Sequence, residues 1–165
     1  MDKITLDRIE LLHPKLRDEA KAIYTEICQA LTGKAMCRFA YTLRTFAEQD
    51  ALYLQKPKIT NAKGGQSYHN YGLAIDIVLL IDKDNNGSYE TASWDTKNDF
   101  DGDQKSDWQE IVSIFKRYGW EWGGSWATFP DMPHFQKTFG YSIVQLQELH
   151  KKQVANKQVG YLSLN

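Results

Sequence analysis

The chain has 165 residues, 42% of them hydrophobic and 25% charged, an ordinary balance for a globular protein large enough to bury a core. Its formal net charge of −1 removes any electrostatic case for a nucleic-acid or anionic-membrane partner. No run reaches membrane-spanning length and the N-terminus carries no signal-like apolar segment. A single domain over 1–165, made in the cytoplasm and monomeric, is expected.

After His13-Pro14, apolar residues recur at Leu16, Ala20, Ile23, Tyr24, Ile27 and Leu31, the stripe of an amphipathic helix. Pro14 suits its first turn and Thr32-Gly33 stops it. Cys28 and Cys37 lack metal-type spacing and read as buried thiols, with a disulfide as the alternative. Met36 to Leu43 alternates loosely and predicts a strand. Thr45 with Glu48 forms a capping box for a helix ending near Gln55. Arg44 therefore stands where strand meets helix, either as a functional cation or as half of a surface salt bridge. A polar loop with a Gly-Gly pair, Lys56 to Gln66, follows.

Ser67-Tyr68-His69-Asn70-Tyr71-Gly72 then leads into Leu73 to Leu80, apolar at every position except Asp76, which predicts a strand buried on both faces. An ionised carboxylate there needs a cation or several donors, and its same-face neighbours Ala74 and Val78 supply neither. A metal shared with His69 would account for both residues; a carboxylate bonded to backbone amides beside a surface histidine is the alternative.

Next comes Asp82-Lys83-Asp84-Asn85-Asn86-Gly87-Ser88-Tyr89-Glu90, whose oxygen side chains at places one, three and five, then glycine, match the opening of a calcium loop. The twelfth place holds Ser93 instead of Glu. Asp99, Asp101 and Asp103 would complete an oxygen cage with Asp82, Asp84 and Asn86; otherwise both runs are solvated turns. Ser106, with Gln109 at the reciprocal capping position, begins a helix whose face is Trp108, Ile111, Val112 and Phe115 and which Tyr118-Gly119 ends. The stretch Trp120 to Trp126 has three tryptophans for a core or for a ligand groove.

In Asp131-Met132-Pro133-His134, a second histidine follows an acidic residue by three places. Two neutral imidazoles and one carboxylate, His69, Asp76 and His134, make a catalytic zinc set with an open fourth position. Asp131 is placed to take a proton from water there, or else caps a turn after Pro130. A last helix runs from Ser142 to about Val154, and Val159 to Leu164 predicts an edge strand. His13 and His150 have no such company and read as surface residues.

Ser67-x-His69-x6-Asp76 followed by Asp131-x-x-His134 resembles the zinc D-alanyl-D-alanine carboxypeptidases and L-alanyl-D-glutamate endopeptidases, a group that includes phage endolysins and shares the Hedgehog fold. Thr42 to Tyr53 looks like the group's arginine-bearing segment, and Tyr118 to Gly124 like the stretch leading to its last ligand. The resemblance implies an α+β fold with a small antiparallel sheet carrying the zinc and helices on one side. It implies Zn²⁺ on His69, Asp76 and His134, Asp131 as general base, and Arg44 beside the developing oxyanion or the substrate. Ser67 would shape the ligand loop or touch substrate, and Trp126 would line the groove. The substrate would be the peptidoglycan stem peptide, cut at L-Ala–D-Glu by an enzyme that reaches the cell wall by lysin-like release or by injection. A D,D-carboxypeptidase and a non-catalytic Hedgehog-like module are the alternatives. One departure is the loop Gln55 to Thr60, shorter than the Gly- and Arg-containing segment usual in the group.

Overall fold

The strand that carries Asp76 is the spine of the sheet. In the computed structural model, which describes residues 1–165, β2 is Ala74–Ile81 and pairs antiparallel with three other strands. β1 (Ala35–Tyr41) runs along one edge from Ala35 opposite Ile81 to Tyr41 opposite Asp76, with a register shift between Phe39 and Tyr41. The other edge is divided: β3 (Thr91–Ser93) pairs with Leu79–Ile81, and β5 (His134–Gln136) pairs with Ala74–Asp76. β4 (Glu121–Trp122) adds to β5. The result is an α+β fold built on a small antiparallel sheet.

The two-residue period of β2 sorts its side chains. Ile75, Ile77, Leu79 and Ile81 enter a cluster of 27 buried residues, while Asp76 turns to the opposite face. Four helices bring apolar residues to that cluster: α1 (Lys3–Ile9), α2 (Pro14–Ala30), α4 (Asp107–Arg117) and α5 (Ile143–Ala155). Each fully buried Leu, Ile or Phe contributes about 1.5–3 kcal/mol through burial, so this face drives folding. Phe115 of α4 stacks on Phe135 of β5 with ring centroids 4.0 Å apart. Core packing is thereby joined to the strand that carries His134. α3 (Phe46–Leu54) departs from the one-sided arrangement, because its Gln49 and Leu52 line the cleft to which Asp76 turns. No helix is long and apolar enough to cross a membrane.

Several expectations are corrected. α1 had no signal in the sequence, since seven residues are too few to display a helical stripe; Asp2 caps it by accepting from the Thr5 amide. Val159 to Leu164 forms no strand: Leu162 and Leu164 pack into the core while Val159 is exposed. Cys37 is buried but Cys28 is exposed, and both are free thiols. At α4, the Ser106 hydroxyl accepts from the Gln109 amide, but the Gln109 side chain donates to Thr96 O, so the reciprocal half of the box is not made. His13 is buried. It caps α2, taking the Lys15 N–H on Nδ1, and its Nε2 donates to Leu162 O at 2.7 Å. His150 is half-buried against the Phe46 ring.

Candidate active site

The His69 segment is held by local hydrogen bonds before it meets any ligand. Ser67 caps a 3₁₀ turn over Tyr68–Tyr71, with its hydroxyl accepting from the His69 amide. Asn70 closes the box: its Oδ1 takes the Gly65 and Ser67 amides and its Nδ2 donates to Arg44 O. Gly72 ends the turn at φ +69, a conformation that favours glycine, and lets the chain enter β2.

His69 Nδ1 lies 2.7 Å from Thr42 O. A carbonyl only accepts, so Nδ1 carries the proton and Nε2 presents a bare lone pair. That Nε2 is buried without a hydrogen-bond partner and sits 3.2 Å from Asp76 Oδ1. Thr42 O is available because β1 leaves its ladder just after the register shift at Phe39/Tyr41.

His134 is oriented from the other direction. β5 sets it opposite Asp76, and its Nδ1 stands 3.0 Å from Asp76 Oδ1. Its Nε2 is 2.9 Å from Gln136 Oε1. The Gln136 amide in turn donates to Glu121 Oε2 at 3.0 Å, which fixes which end of that amide faces the ring. Glu121 also accepts from Trp126 Nε1 at 2.6 Å, and the Trp126 ring packs on His134 at 5.4 Å between centroids.

The donor atoms of His69, Asp76 and His134 therefore converge within 4.8 Å of one another. Burial opposes charge on Asp76, but the two imidazoles outweigh it and hold the carboxyl well below its usual range. Burial also works against a charged His134, and Asp76 overrides it, raising that imidazole above 6.5. Two ring nitrogens and one carboxylate, with an orphaned buried nitrogen among them, form a donor set that could hold a metal ion.

Arg44 and Asp131 flank this set. Arg44 Nη2 is 3.7 Å from Asp76 Oδ2, and its Nη1 donates to Gln49 Oε1 at 2.9 Å. Gln49, itself buried, donates to Ala62 O, so the guanidinium is braced rather than free. Asp131 is exposed at the rim, anchored by its amide to Gly123 O and by its carbonyl to the His134 amide. Desolvation by surrounding protein, then the Asp76 charge, lift its carboxyl above 3.8. Arg44, Ser67, His69, Asp76, Asp131 and His134 all open onto one cleft of about 670 Å³. Lys58, Ile59 and Thr60 of the loop before the His69 turn line it as well, whereas Trp126 stands behind His134 and outside the lining.

The acidic insertion does not pool its donors into one cage. Asp82, Asp84 and Glu90 form one group, and the later carboxylates form two others with Asp107 and Glu110. The Asp82 oxygens accept from the Asn86 and Gly87 amides, and Asp84 accepts from the Asn86 side chain.

A family model described as D-alanyl-D-alanine carboxypeptidase, of the M15 peptidases, matches residues 60–137, a span holding His69, Asp76, Asp131 and His134. The peptidoglycan L-alanyl-D-glutamate endopeptidase CwlK of Bacillus subtilis is 48% identical over 131 residues, covering 76% of this chain and 72% of CwlK. The chain belongs to the M15 peptidase family. An L-alanyl-D-glutamate peptidase of Listeria phage A118 is 30% identical over 135 residues; the match takes in 77% of this chain but 40% of the phage protein. The fold agrees with the crystal structure of Serratia marcescens L-Ala D-Glu endopeptidase ChiX, with a TM-score of 0.56 at 21% identity over 84% of this chain and 90% of ChiX.

Within this M15 site, the supporting roles of Thr42, Gln49, Glu121 and Gln136 come from the structure and not from the sequence pattern. Each acts through another residue, Thr42 on His69 across 27 residues and Glu121 on Gln136 across 15, but Gln49 on Arg44 across five and Gln136 on His134 across two. Gln136 alone had a visible clue: a polar side chain two places after His134 on a strand shares its face.

Proposed function

We propose that this chain is a zinc-dependent peptidoglycan hydrolase that cuts the L-Ala–D-Glu amide of the stem peptide. The observation that carries the reading is the buried, unpartnered His69 Nε2 beside Asp76 and His134, at the floor of a cleft rimmed by Arg44 and Asp131. The 48% identity to an endopeptidase of that specificity supports this choice of bond.

His69 Nε2, an Asp76 oxygen and His134 Nδ1 would hold the ion, three protein ligands leaving a position open to the cleft. The chemistry zinc supplies when bound is Lewis-acid polarisation of a carbonyl and acidification of a water. Asp131 accepts the proton of the attacking water and returns it to the departing D-Glu nitrogen as the C–N bond breaks. Its raised affinity for a proton suits both halves of that transfer. Arg44, braced by Gln49, offers fixed N–H groups to the oxygen on which negative charge develops. Ser67 and the 58–60 loop sit along the cleft, where the stem peptide would lie and be contacted.

The second reading, a D,D-carboxypeptidase, is favoured by the description of the matching family model. A Hedgehog-like binding module would have no use for the flanking base and arginine. Mass spectrometry of purified peptidoglycan digested with and without a zinc chelator separates the three. New N-terminal D-Glu, lost on chelation, is the expected result. Release of D-Ala alone means the carboxypeptidase, and no cleavage with zinc bound means the binding module. Asp131→Ala should lower kcat by about 10²–10⁴-fold while zinc stays bound.

A further inference from the structure

The segment Asp99–Glu110 enters α4 and takes no part in the zinc site. Its carboxylates, Asp99, Asp101, Asp103, Asp107 and Glu110, fall at places one, three, five, nine and twelve of a twelve-residue run. That is the spacing of a helix-entering calcium loop, in which the seventh residue lends its carbonyl and a Glu at the twelfth binds through both oxygens. The sixth place normally holds glycine. Here it is Gln104, at φ +74, the left-handed backbone which that place requires.

Spacing and backbone alone describe a turn; Asp107 points to a ligand. The residue is 0% exposed, its Oδ2 accepts from the Phe100 amide, and its Oδ1 is buried with no partner. Its donor atom groups with those of Asp99 and Asp101 within 4.8 Å. Glu110 groups likewise with Asp101 and Asp103, and its Oε2 is also buried and unpartnered. Leaving such an oxygen unmet is costly, most of all for a charged group. The nearest cation, Lys105 Nζ, is 3.4 Å from Asp103 and 3.7 Å from Glu110 and forms no ion pair with Asp107. In both loops the first carboxylate accepts from backbone amides, Asp82 from Asn86 and Gly87 and Asp99 from Gly102 and Gln104, but only the Asp99–Glu110 run adds buried carboxylate oxygens with no partner.

We propose that Asp99–Glu110 is a self-contained calcium site, with Asp99, Asp101, Asp103, the Lys105 carbonyl, Asp107 and Glu110 as its ligands. A donor set made only of oxygens suits calcium over zinc. The grouped carboxylates lie close enough to repel one another, a repulsion that a bound dication would relieve. The ion fastens the first turn of α4 and, through the Asp101 carboxylate that accepts from the Thr32 amide, the end of α2. Its role is to steady the scaffold behind β5, where Phe115 stacks on Phe135.

The test uses the full-length, zinc-loaded protein with CaCl₂ as the probe, read by titration calorimetry and by thermal melting. Calcium should bind and raise Tm. Glu110→Gln and the exposed-site variant Asp103→Asn, which cannot unfold the core, should each weaken calcium at least about tenfold. Asp107→Asn should do the same, and Asp82→Asn with Asp84→Asn should leave this binding in place. No heat and no Tm shift up to about 10 mM CaCl₂ would overturn the proposal. So would calcium affinity that survives Glu110→Gln and Asp103→Asn but is lost with the Asp82 and Asp84 pair.

Discussion

Gln136 Oε1 accepts from His134 Nε2 at 2.9 Å, two residues along the same face of β5. The proton that Gln136 holds on Nε2 is what leaves Nδ1 bare and aimed at Asp76. Gln136 keeps its orientation because its amide donates to Glu121. Gln136→Leu should therefore loosen the ring and its tautomer, weakening zinc about 10–100-fold, the usual effect of removing such a partner. Competition against a chromogenic chelator measures it. Gln136→Glu combined with Glu121→Gln, which keeps the acceptor for His134 and replaces the facing carboxylate with an amide donor, should recover most of the affinity.

Arg44 is held by one fork of its guanidinium on Gln49, leaving the other near Asp76. A lysine keeps the charge but lacks the second arm, so it cannot be braced and aimed at once. Arg44→Lys should lower kcat by about 10²–10³-fold, with zinc affinity nearly unchanged. Steady-state kinetics beside a zinc titration would decide it, and a loss confined to KM would place Arg44 in substrate binding alone.

The contrast between these residues and their supports shows what the sequence could and could not carry. Asp76 was visible because a carboxylate inside an apolar strand is anomalous on its own. His69 and His134 were visible because each stands beside a turn signal, and the fold brings all three within 4.8 Å. Thr42 and Glu121 were invisible because each bonds a group far along the chain, Thr42 to His69 across 27 residues and Glu121 to Gln136 across 15; Gln49 is only five residues from Arg44, but no motif marks a glutamine as a brace. The same limit applies to His13, whose partner Leu162 is 149 residues away. Local pattern told helix from strand well at the long elements. It failed at seven-residue α1, at three-residue β3, and at Val159 to Leu164, where apolar residues pack without a ladder.

Asp2 joins α1 to β1 through two bonds from Arg38, each 2.9 Å, and two from Thr5. Burial pushes its carboxyl upward, but Arg38 and Thr5 together outweigh that and hold it below 3.8. A depressed folded value adds stability that is fully present above the unfolded carboxyl value of about 3.9 and lost as pH falls through the folded one. Urea midpoints should therefore fall as pH drops below about 4. Asp2→Asn should cost about 1–3 kcal/mol at pH 7 and flatten that acid slope. An unchanged slope would mean that the pair is equally formed in the unfolded chain.

Gly123 supports the position of Asp131. Its carbonyl accepts from the Asp131 amide at 3.0 Å, and a Cβ at Gly123 would lie 2.5 Å from Asp131 O and 3.2 Å from His134 Cβ. The nearest obstruction is backbone, so it cannot swing aside as the end of a long side chain would. Gly123→Ala should therefore displace Asp131 and strain His134 together. Misplacement of about 1 Å costs about 10²-fold in rate, so kcat should fall by roughly that factor and zinc affinity should also decline. Ser125→Ala, an exposed change in the same 3₁₀ turn, should alter neither. A Gly123→Ala enzyme with parental kcat and zinc affinity would show that the 123–131 segment yields without moving the base, and that Asp131 is positioned from elsewhere.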